Sequence, residues 1–118
     1  MFVLMDENDA REIKNWPVLI SAPADGGNTV KFEIRCDFLL LSQDEIDATI
    51  QSAREGDTDA DLMRRAIIGF NGVQDSAGKV VEFSPVNRDK LLKISYVRSA
   101  VTREYFNAIA GGKPKRGN

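Results

Sequence analysis

Few of the side chains in this sequence could do covalent chemistry. The 118 residues hold one cysteine, Cys36, and no histidine. Without histidine the commonest general base, the usual serine and cysteine triads and most zinc sites drop out. Cys36 lies on the apolar face of an alternating segment, which predicts a buried, inert thiol. A single cysteine also forms no internal disulfide, which fits a cytosolic home. Asp57, Asp59 and Asp61 alternate as a cation loop would. They lack the glycine and the distal glutamate of a calcium loop, and they suit the positive end of a helix. Asp44, Glu45 and Asp47 fall in a first helical turn for the same reason. Gly26-Gly27 has no P-loop lysine after it and no GxGxxG spacing, so it reads as a hairpin loop. Arg64-Arg65 and the group Lys113, Lys115, Arg116 lack interleaved aromatics and read as a solvated face and a solvated tail. Trp16 is either a partner anchor or a half-buried residue at a strand end. No nucleophile, base and oxyanion donor assemble. The expectation is a protein without enzymatic activity, cofactor or metal, working through its surfaces.

Composition points the same way. The net charge of −2, from 16 basic and 18 acidic residues, gives no whole-domain reason to bind nucleic acid or an anionic membrane. No apolar run approaches the ~20 residues that span a bilayer. The opening Met1-Phe2-Val3-Leu4-Met5-Asp6 is too short and too soon acidic for a signal peptide. A cytoplasmic protein is expected, with a single domain over residues 1–110 and a flexible basic tail over 111–118.

The elements that must position any site follow in chain order. Phe2 to Met5 is a candidate short strand, and Asp6 to Asn15 reads as a surface loop. Trp16, Val18 and Ile20 alternate with Pro17, Leu19 and Ser21, predicting a strand of about five residues. Pro17 belongs at its start or on a sheet edge. Beyond the Pro23–Asn28 loop, Val30, Phe32, Ile34, Cys36, Phe38 and Leu40 form the apolar face of a second strand, with Lys31, Glu33, Arg35 and Asp37 opposite. Ser42 and Glu45 make a capping box flanked by Leu41 and Ile46. The helix they start carries Ile46, Ile50 and Ala53 and stops near Glu55-Gly56. Thr58 caps a second helix with Leu62, Met63, Ala66, Ile67 and Phe70 as its buried stripe. Gly72 closes that helix. Val73 to Phe83 is a small hairpin around Asp75-Ser76-Ala77-Gly78. Ser84-Pro85 starts a third helix, bearing Val86, Leu91, Leu92 and Ile94. A fourth, continuous with it or not across Ser95, bears Val97, Ala100, Val101, Tyr105, Ala108 and Ile109. The fold class is α+β: a small antiparallel sheet from the N-terminal third, packed on about four helices, with a β-hairpin between helices.

The order of these motifs resembles the phage tail assembly chaperones encoded just before the tape measure gene in long-tailed phages and prophages. The likeness runs through Pro17-Val18, the Pro23-x-Asp25-Gly26 loop, the strand ending at Phe38, and Leu41-Ser42-Gln43-Asp44-Glu45. It continues through Phe70-Asn71-Gly72-Val73-x-Asp75-x-x-Gly78, Phe83-Ser84-x-x-Asn87 and a Gly-Gly-Lys tail. Members of that family commonly have Trp where this chain has Phe70, and a tighter hairpin.

The resemblance implies a non-enzymatic role in the host cytoplasm. The chaperone would bind the tape measure protein, keep it soluble, help recruit tail tube protein, and be absent from the mature virion. Many relatives make a longer form by programmed ribosomal frameshifting. Gly111-Gly112-Lys113 can be encoded by a G-run followed by an A-run, so it is a candidate frameshift-encoded tail. Holding an apolar helical partner calls for a groove. The candidate surface is Trp16, Phe70, Val73, Phe83, Tyr96, Tyr105 and Phe106. Burial of all three of Tyr96, Tyr105 and Phe106, with no apolar patch nearby, would contradict that placement. Head-to-tail self-association fits the same logic. The alternative from another class is a minor structural virion protein, a head–tail joining or tail-completion subunit.

Overall fold

A computed structural model describes residues 1–4, 11–52 and 58–115. Ala53, the stop near Glu55-Gly56, Asp57, and the end of the tail from Arg116 lie outside the described residues, as does the stretch from Met5 to Ala10. Among the described residues the chain forms three strands and four helices in the order β1 (Arg11–Pro23), β2 (Thr29–Leu40), α1 (Gln43–Ser52), α2 (Thr58–Ala66), β3 (Ile67–Asn71), α3 (Pro85–Leu92) and α4 (Ser95–Ile109). The sheet is antiparallel with strand order β1-β2-β3. The α+β expectation therefore holds. No described helix is long and apolar enough to cross a membrane.

β1 and β2 pair along nearly their whole length, from Arg11–Leu40 to Pro23–Thr29. Asp25-Gly26-Gly27 turns between them, as the loop composition predicts. β1 is much longer than the five residues expected, and it includes Arg11 to Asn15, which sequence alone places in a loop. The polar run hides the strand because this edge is wet. Between Ile13 and Trp16 the register slips, with two residues of β1 unmatched against one of β2. Asn15 sits there at φ 56, a left-handed geometry asparagine tolerates better than most residues. Its N–H donates to Asp37 Oδ1 (2.8 Å) and its carbonyl accepts from Arg35 Nη1 (3.4 Å). A bulge of this kind bends a strand and re-aims the next side chain, here Trp16. Pro17 lies inside β1, not at its start, and β1 is an edge strand, where a missing N–H is harmless.

The largest departure is β3. Leu62, Met63, Ala66, Ile67 and Phe70 fit one helical stripe, yet the helix ends at Ala66 and Ile67 opens a strand. A short apolar run does not distinguish helix from strand by spacing alone. Two β-branched residues followed by Gly69 favour the extended form. The free edge of β2 from Arg35 to Phe38 supplies the partner. Gly72 does adopt a left-handed φ of 86, but it ends a strand. Its backbone also passes close to β2, where an added Cβ would lie 3.4 Å from the Glu33 carbonyl.

The helices cover one face of the sheet, α4 over β1 and α2 over β2 and β3. Val18, Ile34, Cys36, Phe38, Leu62, Met63, Ala66, Val101 and Tyr105 form the buried centre. Phe38 meets Tyr105 edge-to-face with ring centroids 5.3 Å apart, a favoured aromatic arrangement. Ser42 Oγ accepts from Glu45 N (3.2 Å) and Ser84 Oγ from Asn87 N (3.0 Å), so the caps expected at Ser42 and Ser84 form, while Thr58, expected as the cap of α2, is its first helical residue. The return half of the Ser42 box does not: the Glu45 carboxylate sits 3.7 Å from Arg65. Ile46 and Thr49 are the buried positions of α1, while Ile50 is exposed. Residues 1–4 form no strand and are exposed.

Candidate functional site

Burial of the apolar strand face is incomplete in one direction. β3 reaches only from Arg35 to Phe38 along β2, so the turn end of the β1–β2 hairpin outruns the rest of the sheet. Ile34, Cys36 and Phe38 are buried, but Phe32 is 54% exposed and Val30 46%. Both were expected in the core from the alternation. The periodicity gives the face correctly, and the missing cover comes from how short β3 is.

A groove of about 480 Å³ opens beneath this overhang. Its floor is Ile20, Ile34 and Val97, and its walls include Phe32, Val73 and Tyr96. A second hollow of about 260 Å³ continues it between the hairpin and α3, sharing Val73, Asp75 and Leu91 and ending at Ile94. The wall formed by the hairpin is built locally. Gln74 bridges Val80, and Val81 N donates to Val73 O (2.9 Å). Asp75 Oδ1 accepts from the N–H groups of Ala77 and Lys79, which holds the turn. The opposite wall follows from the break between α3 and α4. Lys93 ends α3, Ile94 caps α4, and Ile94 and Tyr96 are each 39% exposed there.

The seven candidate surface residues do not form one surface. Val73 and Tyr96 line the groove. Phe70 and Tyr105 are core residues and present no surface. Phe70 lies on β3 and packs edge-to-face on the half-buried Phe83, centroids 5.4 Å apart, so Phe83 supports the hairpin from below. Tyr105 OH accepts from Leu41 N (2.9 Å) and donates to Leu39 O (3.0 Å). Burial pushes its phenol up, partly offset by the Leu41 hydrogen bond. Phe106 is 40% exposed but lies about 15 Å along α4 from Tyr96, and it is not part of the groove lining. Since Tyr96 and Phe106 are exposed and the groove is apolar, the contradicting outcome named above does not arise. Phe32, Ile94 and Leu91 are groove residues that sequence reasoning missed or placed in the core.

Trp16 is half-buried and its indole N–H donates to Glu104 Oε1 (3.0 Å). Glu104 on α4 is fully buried. Burial pushes its carboxyl up, but hydrogen bonds from Trp16, Asn107, Lys115 N and Arg103 outweigh that and hold it below the ordinary glutamate value. Cys36 is buried, and burial together with the Asp37 charge pushes its thiol up to about 12, far from a reactive thiolate. Arg64 is paired with Asp61 and Asp89, and Arg65 with Glu45 and Thr49 Oγ1. No group of three or more metal-ligating side chains occurs among the described residues.

Gly111 and Gly112 have a structural task. Gly111 takes a φ of 77 just past the end of α4, the usual left-handed helix stop. Gly112 lies against Asn107, whose carbonyl would be 3.2 Å from an added Cβ. Lys113 follows with its carbonyl accepting from Asn107 Nδ2. Neither a family model, a curated protein nor a solved structure matches this chain.

Proposed function

We propose that this protein is a non-enzymatic tail assembly chaperone, which binds a phage tape measure protein, keeps it soluble, and helps recruit tail tube subunits. The observation that supports this reading is the open apolar groove between the β1–β2 overhang, the hairpin and the α3–α4 junction. A tape measure protein is a long helical chain whose apolar stripes stay uncovered until tube subunits arrive. A groove walled by Phe32, Val73 and Tyr96 suits one such stripe, in the helix-in-groove mode. The ordered sequence motifs, from Pro17-Val18 to Gly-Gly-Lys, supply the class of partner. The protein acts in the host cytoplasm and leaves before the virion is complete. Gly111-Gly112-Lys113 as a frameshift record is tested by reading the codons for a slippery run.

Co-expression with the product of the next long downstream gene tests the function, with capture through a tag on this chain. The expected result is a soluble complex where that product alone is insoluble. A partner that stays insoluble, together with this chain in purified particles by mass spectrometry, would replace the chaperone with a virion subunit.

A further inference from the structure

Glu104 lies on a helix next to the C-terminal end of the chain, yet no part of it reaches solvent. Four donors enclose its carboxylate. Trp16 Nε1 (3.0 Å) and Asn107 Nδ2 (3.4 Å) donate to Oε1, and Arg103 Nε (3.3 Å) and the backbone N–H of Lys115 (3.3 Å) donate to Oε2. Three of them come from β1 and α4. The fourth comes from the segment after α4, which turns back on itself to reach the site. Gly111 reverses the chain, Gly112 N donates to Asn107 O (2.9 Å), and Asn107 Nδ2 holds Lys113 O. Asn107 thus grips the returning segment at two points and touches Glu104 as well. Pro114 is half-buried between these anchors.

We propose that Gly111–Lys115 is a closing strap over the Trp16–Glu104 pair, and that drawing the strap away opens this pair to solvent. The closing contact is made by a backbone N–H. It therefore depends on where the chain runs and not on which side chain stands at 115, with proline the exception. With the strap drawn off, Glu104 Oε2 keeps Arg103 alone, and the indole hydrogen bond faces water. The state of the segment after α4 is in this way transmitted to the edge strand β1.

Trp16 is the only tryptophan in the chain, so its emission reports on this site alone. The test uses the full chain with three variants. Lys115→Pro removes the donor N–H, Gly112→Ala obstructs the return turn, and Lys115→Ala keeps the N–H. The expected result is a red shift of the emission maximum and steeper acrylamide quenching in Lys115→Pro and Gly112→Ala, with unchanged far-ultraviolet circular dichroism. Lys115→Ala should match the parent. Failure of either Lys115→Pro or Gly112→Ala to move the emission overturns the strap, and so does a Lys115→Ala spectrum shifted as far as that of Lys115→Pro.

Discussion

At the scale of single residues, Glu104 is the one fully buried carboxylate among the described residues. A buried carboxylate is tolerable only when its lone pairs are filled, and here four donors fill them. Hydrogen bonds to a charged group are each worth about 1.5–3 kcal/mol, so Glu104→Gln should destabilise the fold by about that much at neutral pH. Because the folded carboxyl titrates below its ordinary value of 4.5, its ionised form is the stabilising one. That contribution is fully present above the ordinary value and is lost as pH falls through the folded value. Urea midpoints of parent and variant should therefore differ at pH 7 and converge in acid. A gap that widens on acidification would contradict this assignment. None of it is legible from the sequence. Trp16 signals that an indole N–H needs a partner, but nothing in the spacing says the partner stands 88 residues on. Cys36 was legible, because its place on an alternating strand already buries it.

At the scale of elements, local signals with a chemical cause read well. The Ser42 and Ser84 caps, the Gly26-Gly27 turn and the Asp75–Gly78 turn all depend on side chains within a few residues of each other. β3 read poorly, because a strand of five residues is decided by its neighbour β2 and not by its own spacing. That one error propagates. With Ile67–Phe70 assigned to a helix, no sheet edge is visible that could stop short, and Phe32 passes for a core residue. The join between β2 and α1 shows how such elements are locked. Tyr105 on α4 satisfies both Leu39 O and Leu41 N where β2 ends. Tyr105→Phe keeps the ring packed on Phe38 but orphans both backbone groups, at a cost of about 1–3 kcal/mol. Chemical denaturation should show that loss with an unchanged denaturant slope. A variant as stable as the parent would mean that water replaces the hydroxyl.

At the scale of the molecule, a helical layer covers most of the sheet and leaves one end of the long hairpin bare. Exposed apolar surface of this kind is a liability unless something covers it. Its cover is the subject of the proposed function. The residues around the groove divide into a set that supports its hairpin wall from outside the lining, Phe70 and Phe83, and a set that lines it, Phe32, Val73 and Tyr96. Substitutions in the first set would alter the fold. Substitutions at exposed positions in the second usually change stability by no more than about 0.5 kcal/mol, which makes them suitable probes of binding. The most direct measurement is capture of the downstream gene product by a Phe32→Asp, Tyr96→Asp double variant, co-expressed beside the parent chain and checked for an unchanged unfolding midpoint. The account predicts that the parent retains the partner in soluble form, while the variant folds normally and loses it at least about ten-fold, a difference of some 1.4 kcal/mol. Equal recovery of the partner by both chains would contradict the groove as the binding surface.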